Sequence, residues 1–292
     1  MGGESLSGSL YVVATPIGNL RDISLRALDI LREVDLIACE DTRVSAKLLQ
    51  HYGIRKELIS LYTHNESRRT QQLLGMLQAG KRIALISDAG TPTISDPGAA
   101  LVDAARDGGY AVIALPGPNA AVTALSASGF DSSHFLFYGF LPQKKAERRA
   151  ALAEIAALPY ALVFYEAPHR VVASLADMAE AFGPTRRVAI ARELTKMFET
   201  QVRMPLGEAG AWLEQDDNHT RGEFVLVVEA AAHRAQDPAD ERQAKRMLKI
   251  LLEDLPLKQA VALAQRISGL KRNMLYDAAL KMASDTDATD PA

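Results

Sequence analysis

Acids and bases crowd into two short stretches of this chain. Tyr165 to Arg170 (YEAPHR) sets a carboxylate, an imidazole and a guanidinium side by side as Glu166, His169 and Arg170. Arg192 to Glu199 (RELTKMFE) alternates Glu193, Lys196 and Glu199. Groups of these types can move a proton at a reacting atom or hold charge against it. A solvated charged loop explains either stretch alone, but both follow apolar runs that read as strands of one domain. A third stretch, Ser87 to Gly98 (SDAGTPTISDPG), is of a different kind. It offers the acceptors Asp88, Thr91, Thr93, Ser95 and Asp96 and contains no cation. It is unsuited to cradling phosphates and suits a ligand with hydroxyls, amino groups or positive charge. A polar turn with helix caps would use the same residue types.

The elements that must carry these stretches can be read from periodicity. Apolar runs at 9–14, 35–39, 58–62, 83–86 and 110–114 each end in a polar or Gly/Pro loop and lead into a helical pattern. Five strand–loop–helix units of this kind predict a mostly parallel open sheet, with ligands at the carboxyl ends of its strands. Ser24 reads as an N-cap with Leu25, Leu28 and Leu31 on the following helix face, and Pro97 reads as the first turn of a helix over 97–107. A Ser/Gly-rich linker at 126–133 precedes a second alternation, with strands at 135–140, 160–165, 187–192 and 225–229. The domain boundaries expected are 9–128, 134–230 and 241–283, the last purely helical in pattern. The first residues read as a disordered lead-in and 285–292 as an acidic tail.

Composition narrows the function classes. The 292 residues are 48% apolar with a net charge of −3. No apolar run reaches the 18 residues of a membrane span, and no signal-peptide pattern opens the chain, so a cytoplasmic protein is expected. A single cysteine, Cys39, excludes an intramolecular disulfide. The six histidines are scattered without ligand spacing, so no metal is expected. G-x-G-x-x-G, the P-loop, G-x-S-x-G and H-E-x-x-H are all missing, which sets aside the dinucleotide, NTPase, hydrolase and zincin readings.

Six stretches then fall in a telling order: ATPIGNL at 14–20, EDTR at 40–43, SDAGTPTISDPG at 87–98, PGPNA at 116–120, YEAPHR at 165–170 and RELTK at 192–196. Together they resemble the ribosomal RNA small subunit methyltransferase I family over about residues 9–283. The resemblance implies an α/β, two-domain, tetrapyrrole methylase-like (class III) methyltransferase with a small C-terminal helix-turn-helix-like module. It implies S-adenosylmethionine as cofactor and 2′-O-methylation of a decoding-site cytidine ribose in 16S rRNA of the small (30S) ribosomal subunit, by a homodimer. The cofactor would be folded in the cleft between the two α/β domains. Its expected contacts are Asp88, Gly90, Ile94, Ser95, Asp96, Asn119 and Ala120 from the first domain, and Tyr165, Leu194, Gly222 and Glu223 from the second. The family usually has Ser where Asn119 stands; both side chains can hydrogen-bond. Glu166, Arg170, Glu193 and Lys196 are the catalytic candidates, with His169 and Glu199 eligible by residue type. A tetrapyrrole-type small-molecule methylase shares the fold, and a ligand-sensing nucleic-acid-binding regulator is a third reading.

The C-terminal segment bears on that choice. Residues 241–283 hold nine Lys/Arg against four acids, a net of +5, so the rest of the chain carries −8. Helices are expected over 241–254 (apolar face Met247, Leu248, Leu251, Leu252), 257–267 (Ala260, Leu263, Ala264, Ile267) and 272–283 (Leu275, Ala279, Met282). Pro256 separates the first two, and a tight Ser268-Gly269-Leu270 turn separates the last two, which is the helix-turn-helix plan. Lys271, Arg272 and Asn273 at the third helix start, together with Lys258, are the RNA-binding candidates. A packing subdomain with a solvated basic face is the alternative.

Overall fold

The computed structural model describes residues 8–62, 65–231, 238–268, 270 and 272–287. They divide into two compact units that meet in sequence at Ala230 and Ala231. The first unit opens with a parallel sheet of β1 (Ser9–Val13), β2 (Leu36–Cys39), β3 (Glu57–Ser60), β4 (Arg82–Ile86) and β5 (Ala111–Leu115). The spatial order is β3-β2-β4-β1-β5. Helices α1 (Leu25–Glu33), α2 (Thr42–His51), α3 (Glu66–Gln78), α4 (Ala99–Asp107) and α5 (Ala120–Ser128) follow the strands in turn. The apolar runs are continuous because both faces are covered. Ala84 and Ile86 join the core under α1 and α2, while Ile83 and Leu85 join that under α3 and α4.

One helix face and one helix start differ from the sequence reading. Ser24 does cap α1, accepting from the Ala27 N–H at 3.1 Å. Leu25, however, is 81% exposed, and the buried stripe is Ala27, Leu28 and Leu31. At 3.6 residues per turn Leu25 lies about 110° round the helix from that stripe. Helix α4 starts at Ala99 rather than Pro97, with Gly98 as N-cap at φ 117°. A side chain at 98 would come within 2.7 Å of Leu85 Cδ2. Glu66, at the start of α3, accepts the Gly98 N–H at 2.9 Å and caps the helix from outside.

A second sheet follows in the same unit. It contains β6 (Phe135–Phe140), β7 (Ala161–Glu166), β8 (Arg187–Arg192), β9 (Thr200–Pro205) and β10 (Phe224–Val228), in the order β6-β7-β10-β8-β9. Only β6 and β7 are parallel; the other pairs are antiparallel. One face packs on α6 (Lys145–Ile155), α7 (Val171–Phe182) and α8 (Ala209–Glu214). Arg148 and Asp177 brace α6 on α7 through a buried pair, with Nε to Oδ2 at 2.7 Å, and Arg149 Nε reaches Oδ1 at 2.8 Å. The other face receives α5: Ala121, Ala124 and Leu125 pack with Val163, Ala189 and Val225. Helix α5 therefore follows the first sheet in sequence but lies against the second, and the expected linker from 126 is helical as far as Ser128. Strand β9 was absent from the sequence reading. It is an edge strand that turns only Val202 and Met204 to the core and ends in proline.

The second unit is three helices, α9 (Pro238–Asp254), α10 (Leu257–Ser268) and α11 (Arg272–Asp287). Ala244, Leu248, Ala260, Val261, Ala264, Leu275 and Ala279 form its core. Ile267, expected on the apolar face, is 65% exposed, because the buried stripe of α10 runs through Ala260, Val261 and Ala264 and leaves it about 70° off centre. Lys271 and Gly269 lie outside the described residues, as do Thr63, His64, the lead-in and the last residues of the tail.

Candidate functional site

The carboxyl ends of the first sheet's strands, those of β6, β7 and β8, and the amino end of β10 enclose a cleft, and loops from both sheets lock its corners. The loop after β1 is pinned to the loop after β4 by a two-way backbone bridge, Thr15 N–H to Gly90 O at 2.9 Å and Gly90 N–H to Thr15 O at 3.0 Å. The buried Thr15 hydroxyl donates to Ser87 O at 3.0 Å, and Thr91 Oγ1 donates to Pro118 O at 3.0 Å in the loop after β5. From the other sheet, the Tyr165 hydroxyl accepts the Ala121 N–H at 3.2 Å and so ties β7 to the first turn of α5. Asn19 N–H donates to Thr195 Oγ1 at 3.1 Å. Gly18 lets these loops touch, since a Cβ there would sit 2.5 Å from Lys196 Cγ and 2.8 Å from Thr195 Oγ1.

Inside is a cavity of about 430 Å³, a size suited to a small organic ligand. Gly90, Ile94, Ser95 and Asp96 line it from the loop after β4, and Asn119 and Ala120 from the start of α5. Tyr165, Leu194 and Glu223 line it from the second sheet. Nine of the eleven expected cofactor contacts thus come together. Asp88 and Gly222 do not reach the cavity wall. Asp88 Oδ1 accepts the Asp41 N–H at 3.1 Å and fixes the loop after β2. Gly222, at φ 91°, gives way to Glu193, whose side chain would lie 2.5 Å from a Cβ. Ile17, Phe140, Phe224 and Val225 also line the cavity and were missed. Each is at a strand end or the loop beyond it, which was the available signal, but apolar residues there look like ordinary core.

The four catalytic candidates form two groups. Glu166 is buried and lines the cavity, yet its Oε1 accepts from Ala167 N–H at 2.9 Å and its Oε2 from Ser174 Oγ at 2.5 Å. Arg170 Nε stands 3.3 Å from Oε1, and the far end of its guanidinium donates to the Leu141 and Pro142 carbonyls. Lys196 Nζ is held between Glu193 Oε1 at 2.8 Å and Glu223 Oε2 at 2.9 Å. Burial works against both charges of the Glu193–Lys196 pair, but their contact and the Glu223 partners outweigh it. Glu193 is held below the ordinary carboxylate value and Lys196 above the ordinary lysine value.

Asp96, Glu166 and Glu223 line the cavity, and no lysine or arginine does among the described residues. Arg170 and Lys196 pair with Glu166 and Glu223 from beside the wall, so Asp96 is, among the described residues, the lining acid without an ion pair there. Burial, then the neighbouring acids, raise the Asp96 and Asp88 carboxyls above their ordinary value; Glu40, which follows β2, is raised by burial and by Asp88, Asp96 and Asp41. An acidic site with apolar walls and aromatic rings suits a cation that also carries hydroxyls and a flat ring.

The chain matches two family models. Tetrapyrrole (Corrin/Porphyrin) Methylases matches residues 9–210, and the RsmI C-terminal HTH domain matches 238–283. It is 51% identical to Ribosomal RNA small subunit methyltransferase I of Escherichia coli O157:H7, over 95% of this chain and 96% of that one. The protein of the same name from Pseudomonas aeruginosa (strain PAO1) is 50% identical, over 94% and 98%. The chain belongs to this family. A uroporphyrin-III C-methyl transferase from Thermus thermophilus, solved with S-adenyl homocysteine, shares the fold at a TM-score of 0.53 and 18% identity, over 76% of this chain and 97% of that one. The fold expected from the six stretches, a class III methyltransferase with an appended helical module, is the fold observed. The small-molecule methylase and regulator readings are less well supported, because the relatives at half identity span the helical module as well as the α/β body.

Proposed function

We propose that this S-adenosylmethionine-dependent methyltransferase methylates the ribose 2′-oxygen of a decoding-site cytidine in 16S rRNA, acting on the small (30S) ribosomal subunit in the cytoplasm as a homodimer. The observation that carries the reading is the 430 Å³ cleft, acidic and free of lysine and arginine among the described residues, in a chain half identical to rRNA methyltransferases. The residues present fit the cofactor. The carboxylates of Asp96 and Glu223 suit its amino group and hydroxyls, and Ile17, Ile94, Leu194, Phe224 and Val225 suit its ring. Bound there, S-adenosylmethionine supplies an electrophilic methyl on a sulfonium, whose departure as a thioether calls for no general acid.

The protein's task is then alignment of the nucleophilic oxygen and exclusion of water. Glu166 and Arg170 serve as positioning residues: their pairing, with Ser174 and the Leu141 carbonyl, holds the wall from which Tyr165 and Ala167 reach the cleft. Lys196 remains an ammonium and does not act as a base. It holds Glu223 in place at the rim through the 2.9 Å contact. Methyl transfer by alignment, with the 2′-hydroxyl proton leaving to solvent and not to Lys196, is the expectation.

The test uses methyl-labelled cofactor and small subunits lacking the modification. A 2′-O-methyl protects its 3′-phosphodiester from alkali, so the label should appear in an alkali-resistant dinucleotide beginning with cytidine. Label released in single nucleotides would place the methyl on a base and overturn the proposal. Light scattering at micromolar protein tests the dimer; a mass near 31.6 kDa would reject it.

A further inference from the structure

The helix-turn-helix plan directs attention to the start of α11, but the densest positive charge on the module lies elsewhere. Arg242, Lys245, Arg246 and Lys249 follow one another on α9 at spacings that place them along one side of the helix. All four are exposed, while Ala244 and Leu248 turn the other side into the module core. The stripe is about 10 Å long at 1.5 Å per residue. It runs into Ile250, an apolar side chain that is 64% exposed. Among the described residues the candidates around the turn are sparser: Lys258 and Arg272 are exposed on two different helices, and α11 also carries exposed Asp277.

The helix dipole does not account for this layout. Cations stabilise a helix in its last turn, where the dipole is negative. The last turn of α9 has no basic residue and ends in Glu253 and Asp254. The four cations occupy the middle of the helix, where the dipole gives them little. Nor does the core need them, since α9 contributes Ala244 and Leu248 to it, with Leu251 and Leu252 packed alongside. A run of cations with an apolar residue at its end matches the chemistry of an RNA strand, phosphates along one edge and sugar or base faces beside it.

We infer that the exposed side of α9, Arg242 through Ile250, is the module's RNA-binding surface and tracks the phosphate backbone. This inference rests on the rRNA substrate proposed above and moves the module's main contact from the third helix to the first. Each neutralised phosphate contributes about 0.7–0.9 to the slope of log affinity against log salt. Four contacts therefore amount to about 3.

The experiment compares two full-length variants, R242Q/K245Q/R246Q/K249Q and K258Q/R272Q. Glutamine keeps the helix propensity of the residues it replaces, and circular dichroism together with calorimetric S-adenosylmethionine affinity confirms that each variant is folded. Anisotropy on a labelled 16S rRNA fragment, titrated from 50 to 200 mM KCl, gives the slope without depending on methyl transfer. The stripe variant should bind at least tenfold more weakly at 100 mM salt, with a slope shallower by about 3. The K258Q/R272Q variant should change the slope by less than half as much. A stripe variant with the wild-type slope overturns the inference, and so does a larger loss in K258Q/R272Q. Binding that behaves as expected in an enzyme that transfers no methyl to rRNA would refute the proposed function and leave the RNA surface standing.

Discussion

Replacing Gly18 by alanine tests whether the two loops that close the cleft must touch. Gly18 is outside the left-handed region, so its backbone accepts a side chain and the cost is steric. The added methyl would lie 2.5 Å from Lys196 Cγ, 2.8 Å from Thr195 Oγ1 and 3.0 Å from Leu194 O. Lys196 can move, but it is tied at its far end to Glu193 and Glu223, and Leu194 O is backbone. Overpacking of this kind costs about 1–3 kcal/mol. If the strain is relieved by parting the loops, the Asn19 N–H to Thr195 Oγ1 bond is lost and Leu194 withdraws from the cavity. S-adenosylmethionine affinity by calorimetry should then fall about 5- to 150-fold, the same energy read as a Kd. Lys196→Ala removes the atom nearest the new methyl. In a double-mutant cycle the pair should therefore cost less than the sum of the single changes by about 0.5–2 kcal/mol. Wild-type affinity in Gly18→Ala, or strict additivity in the cycle, would refute the claim that this contact shapes the site.

Three further outcomes are expected. Asp177→Ala leaves the Arg148 guanidinium buried without its partner, and urea unfolding should show a loss of about 3–5 kcal/mol. Asp96→Asn should weaken S-adenosylmethionine binding by about tenfold, the scale of a lost charge-assisted hydrogen bond. Because burial and then Asp88 raise the Asp96 carboxyl, wild-type binding should already weaken at a pH above the ordinary carboxylate range as acid is added, a dependence the asparagine variant should lack. Glu40 is raised in the folded state by burial and by its acidic neighbours, so its contribution to stability is full below its unfolded value and lost as pH rises through its folded one. Glu40→Gln should accordingly be more stable than wild type to urea at neutral pH, with the advantage vanishing below about pH 4, where the unfolded glutamate is protonated.

Most of the first sheet and the position of the cleft could be read from the chain, because each strand buried on both faces gives an unbroken apolar run that stops at a polar loop. The second sheet was harder. Strand β9 offers only Val202 and Met204 to the core, and α5 reads as part of the first domain although its Ala121, Ala124 and Leu125 pack on the second sheet. Small residues on a helix show that something approaches closely without showing what. Polar contacts such as Asp96 and Ser95 announced themselves by type. Ile17, Phe140 and Val225 did not, since an apolar cavity wall and an apolar core use the same residues until the sheets are placed. Glu166 is a different case: its neighbours His169 and Arg170 suggested proton transfer by their types, and what the sequence could not show is that its carboxylate joins Ser174, Ala167 and Arg170.

Backbone strain supplies a further link between the two loops. Four non-glycine residues adopt positive φ among the described residues: Thr93 at 72°, Ser95 at 68°, Glu193 at 53° and Thr195 at 65°. The first two are in the loop after β4, the others in the loop after β8, and the two loops contribute Ile94, Ser95, Asp96 and Leu194 to the same cavity. Each such residue costs about 1–2 kcal/mol, and β-branched threonine is the least tolerant. Four of them approach the whole stability of an ordinary domain. Glycine would relax every one, as it does at Gly90 in the same loop. The side chains kept in spite of this include Ser95 on the cavity wall, Thr195 receiving Asn19 from the loop after β1, and Glu193 gripping Lys196. The strain is thus concentrated where side chains must be present on a backbone that would otherwise be glycine, and those side chains form the cleft's walls and the clasp that holds them together.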